Sequence, residues 1–390
     1  MTLDGPFTSM IGPSQEQKIT LGKGERELVW IVGYEAELIS SKSGSAVPDR
    51  FMCHVSVDLQ KEAYQQRLAP RLQATYRLVT LSQGLTKVDF PTGFGMPIPS
   101  DQLLWIRSQL LNLNDEKIAD NIQFKIKLHY LRDKELQAPI KPLFLVRAPV
   151  VKSLEPGQNH FGGVKSSAGC SVGVNANPDD YLEYDSKGQA FIPHWKLPPG
   201  REETKTLITE RLSLPDDMTV HAIVSHVHPS AESLTLIDLT TLDMVYQART
   251  NPNKERLALD SISTYSSEVG LALKKDHDYG LVSVYDNQTD RELDSMAVMY
   301  LYLHDPEFLP PTTAELNTLL PQDAVLENRQ KDKVVWRSHE PLRSVNSLFE
   351  SDEKWRLKSE SSNGIQWEGP SGFVLIEPQN SGCLLSLTFR

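Results

Sequence analysis

The chain has 390 residues, of which 23% are charged and 39% hydrophobic, and a formal net charge of −11. These are the proportions of a globular chain rather than a disordered one, with room for two or three domains. The acidic balance excludes a nucleic-acid scaffold, which needs a basic face for phosphates, and no run of about 18 apolar residues is present to span a membrane.

The opening MTLDGPFTSMIGPSQEQ has neither a basic n-region nor an apolar h-region, so no signal peptide is visible and the chain as read is expected in the cytoplasm. Strands are expected at ELVWIVGYEAELI (27–39), FMCHVSVDL (51–59) and QATYRLVTL (73–81), then at NIQFKIKLHYL (121–131) and KPLFLVRAPVV (141–151). All are β-branched or aromatic runs, several with period-2 alternation, and Gly, Pro, Asn and Asp punctuate them. The segment DEKIADNI (115–122) reads as a short helix. A stretch rich in Gly, Ser and Asn (154–180) marks a composition break, and a domain boundary is expected close to residue 150.

Strand patterning returns in ETKTLITERLSL (203–214), TVHAIVSHVH (219–228), SLTLIDL (233–239), DYGLVSVYDN (278–287) and SMAVMYLYL (295–303). A second break, HDPEFLPPTTAELNTLLPQD (304–323), contains the other short helix. Beyond it lie Trp336, Trp355 and Trp367, with strands such as GFVLIEP and CLLSLTF. The fold expected is all-β: two consecutive antiparallel β-sandwich domains of jelly-roll type, 1–150 and 151–310, and a β-rich extension, 311–390. Cys53, Cys170 and Cys383 are odd in number and far apart, so neither a disulfide framework nor a CxxC motif can be read from them. No GxSxG elbow, P-loop or HExxH occurs.

One motif carries chemistry. His226 and His228 lie two apart on an expected strand, so both imidazoles project from one face. Ten histidines in 390 residues give roughly 0.3 such pairs by chance, so the spacing alone is weak. Met296, near the start of a later strand, adds a thioether that a neighbouring sheet position would bring to the pair. Two imidazoles and a thioether suit copper, particularly Cu(I); zinc rarely uses Met. His221 is out of register with this face, and His194 and His160 read as structural or surface residues.

The order strand, HVH, strand, VYDN, loop, DSM, strand resembles the copper type II, ascorbate-dependent monooxygenases, the group of the peptidylglycine α-hydroxylating and dopamine β-monooxygenases. The likeness covers roughly 25–305 and is clearest over 195–303. It implies that His226, His228 and Met296 ligate the copper at which oxygen is activated. The family's N-terminal copper uses adjacent histidines and a later one. Here Cys53 replaces the first, His54 keeps the second, and Gln109 stands at the third, so that site is expected to be degenerate. His129 offers a substitute ligand. The plainer readings are a core histidine for His54 and a small buried hydrophobe for Cys53.

The function expected is a copper-dependent, monooxygenase-like oxidoreductase with one copper ion, an external reductant such as ascorbate, and a small-molecule or peptide substrate. The alternatives are a non-catalytic copper-binding or partner-binding protein on the same fold, and a carbohydrate-active or interaction module that uses the tryptophan-bearing extension to contact a protein partner. The resemblance would favour a periplasmic or secreted location if a leader has been removed.

Overall fold

The computed structural model describes residues 2–3, 12–22, 24, 26–60, 64, 67–68, 71–72, 75, 77–114, 116, 118–153, 182–184, 190–318, 320, 324–330, 333–370 and 372–389. Cys170 and His160 lie outside them, as does the Gly/Ser/Asn-rich break. The described chain is all-β, with short helices at Thr209–Leu212, Thr313–Leu316 and Leu342–Glu350. None of them is long and apolar enough to cross a membrane.

The expected β runs form strands because their alternating apolar residues have two sheets to bury between. A ten-stranded sheet runs through Ile118–Arg132, Leu28–Ser40, Phe94–Pro99, Lys141–Pro149, Ala297–His304, Met218–Val227 and Tyr265–Leu273, in that spatial order. A four-stranded sheet holds Ser14–Ile19, Leu104–Leu110, Met52–Leu59 and Arg77–Leu81. A five-stranded sheet runs from Gly200–Leu207 through Tyr279–Asn287 and Ala231–Asp238 to Asp243–Pro252 and Leu259–Ile262. Residue 150 directly follows a strand of the shared sheet: Lys141–Pro149 pairs antiparallel with Ala297–His304 from Leu143↔His304 to Pro149↔Val298. One hydrophobic core extends from Leu28 to Leu316 through all three sheets.

The four-stranded sheet is tied to the Ala297–His304 strand by buried bonds. Thr80 Oγ1 donates to the Tyr300 hydroxyl at 3.1 Å, and the Tyr302 hydroxyl donates to the Leu78 carbonyl at 2.8 Å. These bonds hold the N-terminal wall against the strand beside His226.

Of the short helix expected over 115–122, residues 118–122 belong instead to the strand Ile118–Arg132, and 115 and 117 lie outside the described residues. That strand pairs with Leu28–Ser40 from Ile122↔Ser40 to Arg132↔Val29, and this long ladder outweighs local helix preference. In the run 203–214 the strand stops at Leu207, and Thr209–Leu212 forms a helical turn.

The extension is a six-stranded antiparallel sheet covered by Leu342–Glu350. Its core contains Trp336, Trp367, Val345 and Phe349. Trp355 is half-buried with its ring 5.2 Å from that of Phe349. The tryptophans expected to offer a contact surface therefore serve mainly as core, packed with Ile365, Ile376, Leu385 and Leu387 between the sheet and its helix. Arg329 joins the extension to the body. Its Nε donates to Glu315 at 2.7 Å and its Nη2 to the Arg67 carbonyl at 2.7 Å, with Glu315 buried and Arg329 half-buried.

Candidate metal site

The Met218–Val227 strand lies between Ala297–His304 and Tyr265–Leu273, with His226 opposite Val298 and Val227 opposite Ala297. The pairing continues one residue beyond the strand, where the His228 N–H donates to the Met296 carbonyl at 3.2 Å. The Tyr285 hydroxyl secures this junction, donating to the Met296 carbonyl at 2.6 Å and accepting the His228 N–H at 3.4 Å. Residues opposite one another in an antiparallel pair share a face. The register therefore sets Met296 on the same face as His226 and His228. The two imidazole ring centres are 5.4 Å apart, and all three residues are at most 3% exposed.

Hydrogen bonding prepares each imidazole differently. His228 Nδ1 lies 3.0 Å from the Asp294 carbonyl. A carbonyl only accepts, so Nδ1 carries the proton and Nε2 is the lone-pair nitrogen, the arrangement common for metal-bound histidine. His226 Nδ1 is buried with no hydrogen-bond partner among the described residues. Burial holds the His226 ring well below its ordinary pKa, and the neighbouring His228, His54, His194 and Arg77 lower it further. Neutral imidazole is the form that ligates metal.

Two further histidines adjoin the pair. His54, on Met52–Leu59 of the facing sheet, has its ring centre 6.4 Å from that of His226. His194 precedes Trp195, which pairs with Ser295 of the short strand Leu293–Ser295 leading to Met296, and its ring centre is 5.8 Å from that of His228. Both are buried. The His194 pKa is also pushed well down, first by burial and then by His228, Arg147 and His54. No sequence spacing signals either approach. His194 is thus a buried neighbour of the pair, not a surface residue.

The N-terminal set is also brought together. His54 pairs with Gln109 and Met52 with Leu110, leaving Cys53 as the extra residue of a β-bulge. The bulge sets Cys53 Sγ 3.4 Å from His54 Nδ1. Gln109 Nε2 donates to the Gly12 carbonyl at 3.1 Å. His129 does not join them: it is exposed on Ile118–Arg132, with Nε2 3.7 Å from Glu35. His221 sits at a bulge, its Nδ1 donating to the Ser267 carbonyl at 2.9 Å and its Nε2 accepting from Thr219 at 2.8 Å, which satisfies both nitrogens. Arg77, whose charge acts on His226, forms a buried ion pair with Asp58 at 2.7 Å.

Among the described residues no three His, Cys, Asp or Glu side chains are grouped closely enough to hold a metal ion as they stand. The donor set that remains at the pair is two imidazoles and a thioether. An oriented Nε2 on His228, an unpartnered nitrogen on His226 and the thioether of Met296 on the same face would suit a soft, low-coordinate ion such as Cu(I).

No family model matches the chain, and no curated protein matches it. Among solved structures it is similar to the VP2 subviral particle of infectious bursal disease virus, at 8% identity over 79% of this chain and 75% of that chain, with a TM-score of 0.17. It is similar also to T=1 particles derived from infectious bursal virus, at 8% identity over 77% of this chain and 70% of that one, with a TM-score of 0.20. At these scores the likeness carries no argument about function.

Proposed function

We propose that the chain is a copper protein with one mononuclear site at His226, His228 and Met296. The observation that carries this reading is His226 Nδ1, buried with no hydrogen-bond partner among the described residues. Leaving such a group unsatisfied costs about 1–3 kcal/mol, and a metal–nitrogen bond would remove that cost. The Asp294 carbonyl supports it by fixing the His228 tautomer. Met296 supports it by adding a soft donor on the same face.

Copper bound there would supply oxygen activation with electrons from an external reductant such as ascorbate, the chemistry of the monooxygenases that the motif order resembles. The chain's own part is to orient the imidazoles through Asp294 and Tyr285 and to keep water out. Burial favours a second reading, copper binding without turnover, because His226 and His228 are 3% and 2% exposed and offer a substrate little surface.

The test is Cu(I) titration against a competing chelator. One ion per chain is expected, with binding lost in His226→Ala. A wild-type chain that leaves all copper with the chelator rejects both readings. Oxygen uptake by the loaded protein with ascorbate then separates the monooxygenase reading, which requires it, from binding without turnover.

A further inference from the structure

We infer that His54 joins His226 and His228 on the same copper ion, so that one site is built across two facing sheets instead of two separate sites. The inference rests on the copper reading above and adds a ligand to it.

The distances support this. A metal bond of about 2.0 Å and a tetrahedral angle put the centres of two imidazoles sharing an ion about 5 Å apart. His226 and His228 are 5.4 Å apart, and His54 and His226 are 6.4 Å apart with their planes at 79°. The first pair is within a few tenths of an ångström of the shared-ion spacing. The second exceeds it by about 1 Å, so sharing an ion requires the His54 and His226 rings to turn toward each other. That gap agrees with the lack of a preassembled three-ligand group among the described residues.

His54 also has the chemistry of a ligand. It is 4% exposed, so its ring is shielded from solvent. In the tautomer that donates Nδ1–H to Cys53 Sγ at 3.4 Å, Nε2 is the lone-pair nitrogen. The bulge at Cys53 creates this contact, since the extra residue brings the sulfur beside its neighbour's ring. The sequence placed His54 at a separate, degenerate centre; the packing of the sheets brings it to the centre that remains.

The test uses the full chain loaded with Cu(I). X-ray absorption counts the donors, chelator competition gives the affinity, and thermal unfolding gives the stabilisation by copper. Three imidazoles and one thioether are expected in the wild type. His54→Leu should lower the count to two, weaken Cu(I) binding roughly tenfold or more, and shrink the copper-induced rise in Tm, because the ion no longer bridges the sheets. Two imidazoles in the wild type, or equally tight binding by His54→Leu, would overturn the inference and leave copper at His226 and His228 intact. No copper on the wild type would overturn the inference together with the reading beneath it. Should His54→Leu fail to fold, the wild-type donor count decides alone, and His54→Gln supplies the affinity comparison.

Discussion

Acid should destabilise the metal-free protein through its buried imidazoles, and replacing one of them should reduce the effect by a calculable amount. His226 and His194 are both held well below the ordinary histidine pKa, chiefly by burial. In the unfolded chain both titrate near ~6.5, so as pH falls the unfolded state takes up protons first. The stability these neutral rings permit is whole above that value and is lost as pH falls from it toward the folded-state pKa. With a ring neutral in the fold throughout, the loss between about pH 7.5 and about pH 5.5 is about 1.4 kcal/mol per imidazole, or about 2.7 kcal/mol for the two. His226→Leu removes one titrating ring and an unpartnered buried nitrogen. It should leave stability near neutral pH unchanged or raised by about 1 kcal/mol, and should flatten the acid dependence by about 1.4 kcal/mol over that interval. Urea unfolding of both proteins at the two pH values, with a chelator present, measures the difference. Other groups titrate too, including the half-buried His304, but they are common to both proteins and cancel. An unchanged pH dependence in His226→Leu would refute the claim that this ring is neutral in the fold.

Two other substitutions probe the surroundings. Tyr285→Phe removes the hydroxyl that ties the Met296 carbonyl to the His228 N–H; it should cost about 1–2 kcal/mol in urea unfolding and weaken Cu(I) binding in chelator competition without changing stoichiometry. Arg329→Met leaves Glu315 buried without its cation and frees the Arg67 carbonyl; a cost of about 3–5 kcal/mol is expected, read as earlier proteolysis between the body and the extension.

The sequence made the strands legible where hydrophobic alternation was long, as in Leu28–Ser40 and Met218–Val227. It also made the common face of His226 and His228 legible, because a period of two is a local property. It could not show that Ile118 begins a strand, since Ile118 pairs with Leu3, more than a hundred residues earlier. Nor could it place His54 against His226, or His194 against His228. Those contacts depend on how one sheet lies on another and on where a short strand after a turn is pinned. The bulge at Cys53 was equally hidden, because bulges are defined by the partner strand and not by the residues that form them.

The ladder between Lys141–Pro149 and Ala297–His304 joins the two sides of residue 150. Both strands are almost wholly buried. If the chain were divided at residue 150, each half would present a long apolar edge with unpaired backbone groups, the kind of surface that recruits other chains into aggregates. The halves should therefore be poorly soluble when made separately and should need each other during synthesis. The ladder also joins residues about a hundred and fifty positions apart, so during translation the first strand waits exposed until the second emerges. Folding of this protein should accordingly be slow and sensitive to chaperone supply, with completion of this one seam as the step that removes the hazard.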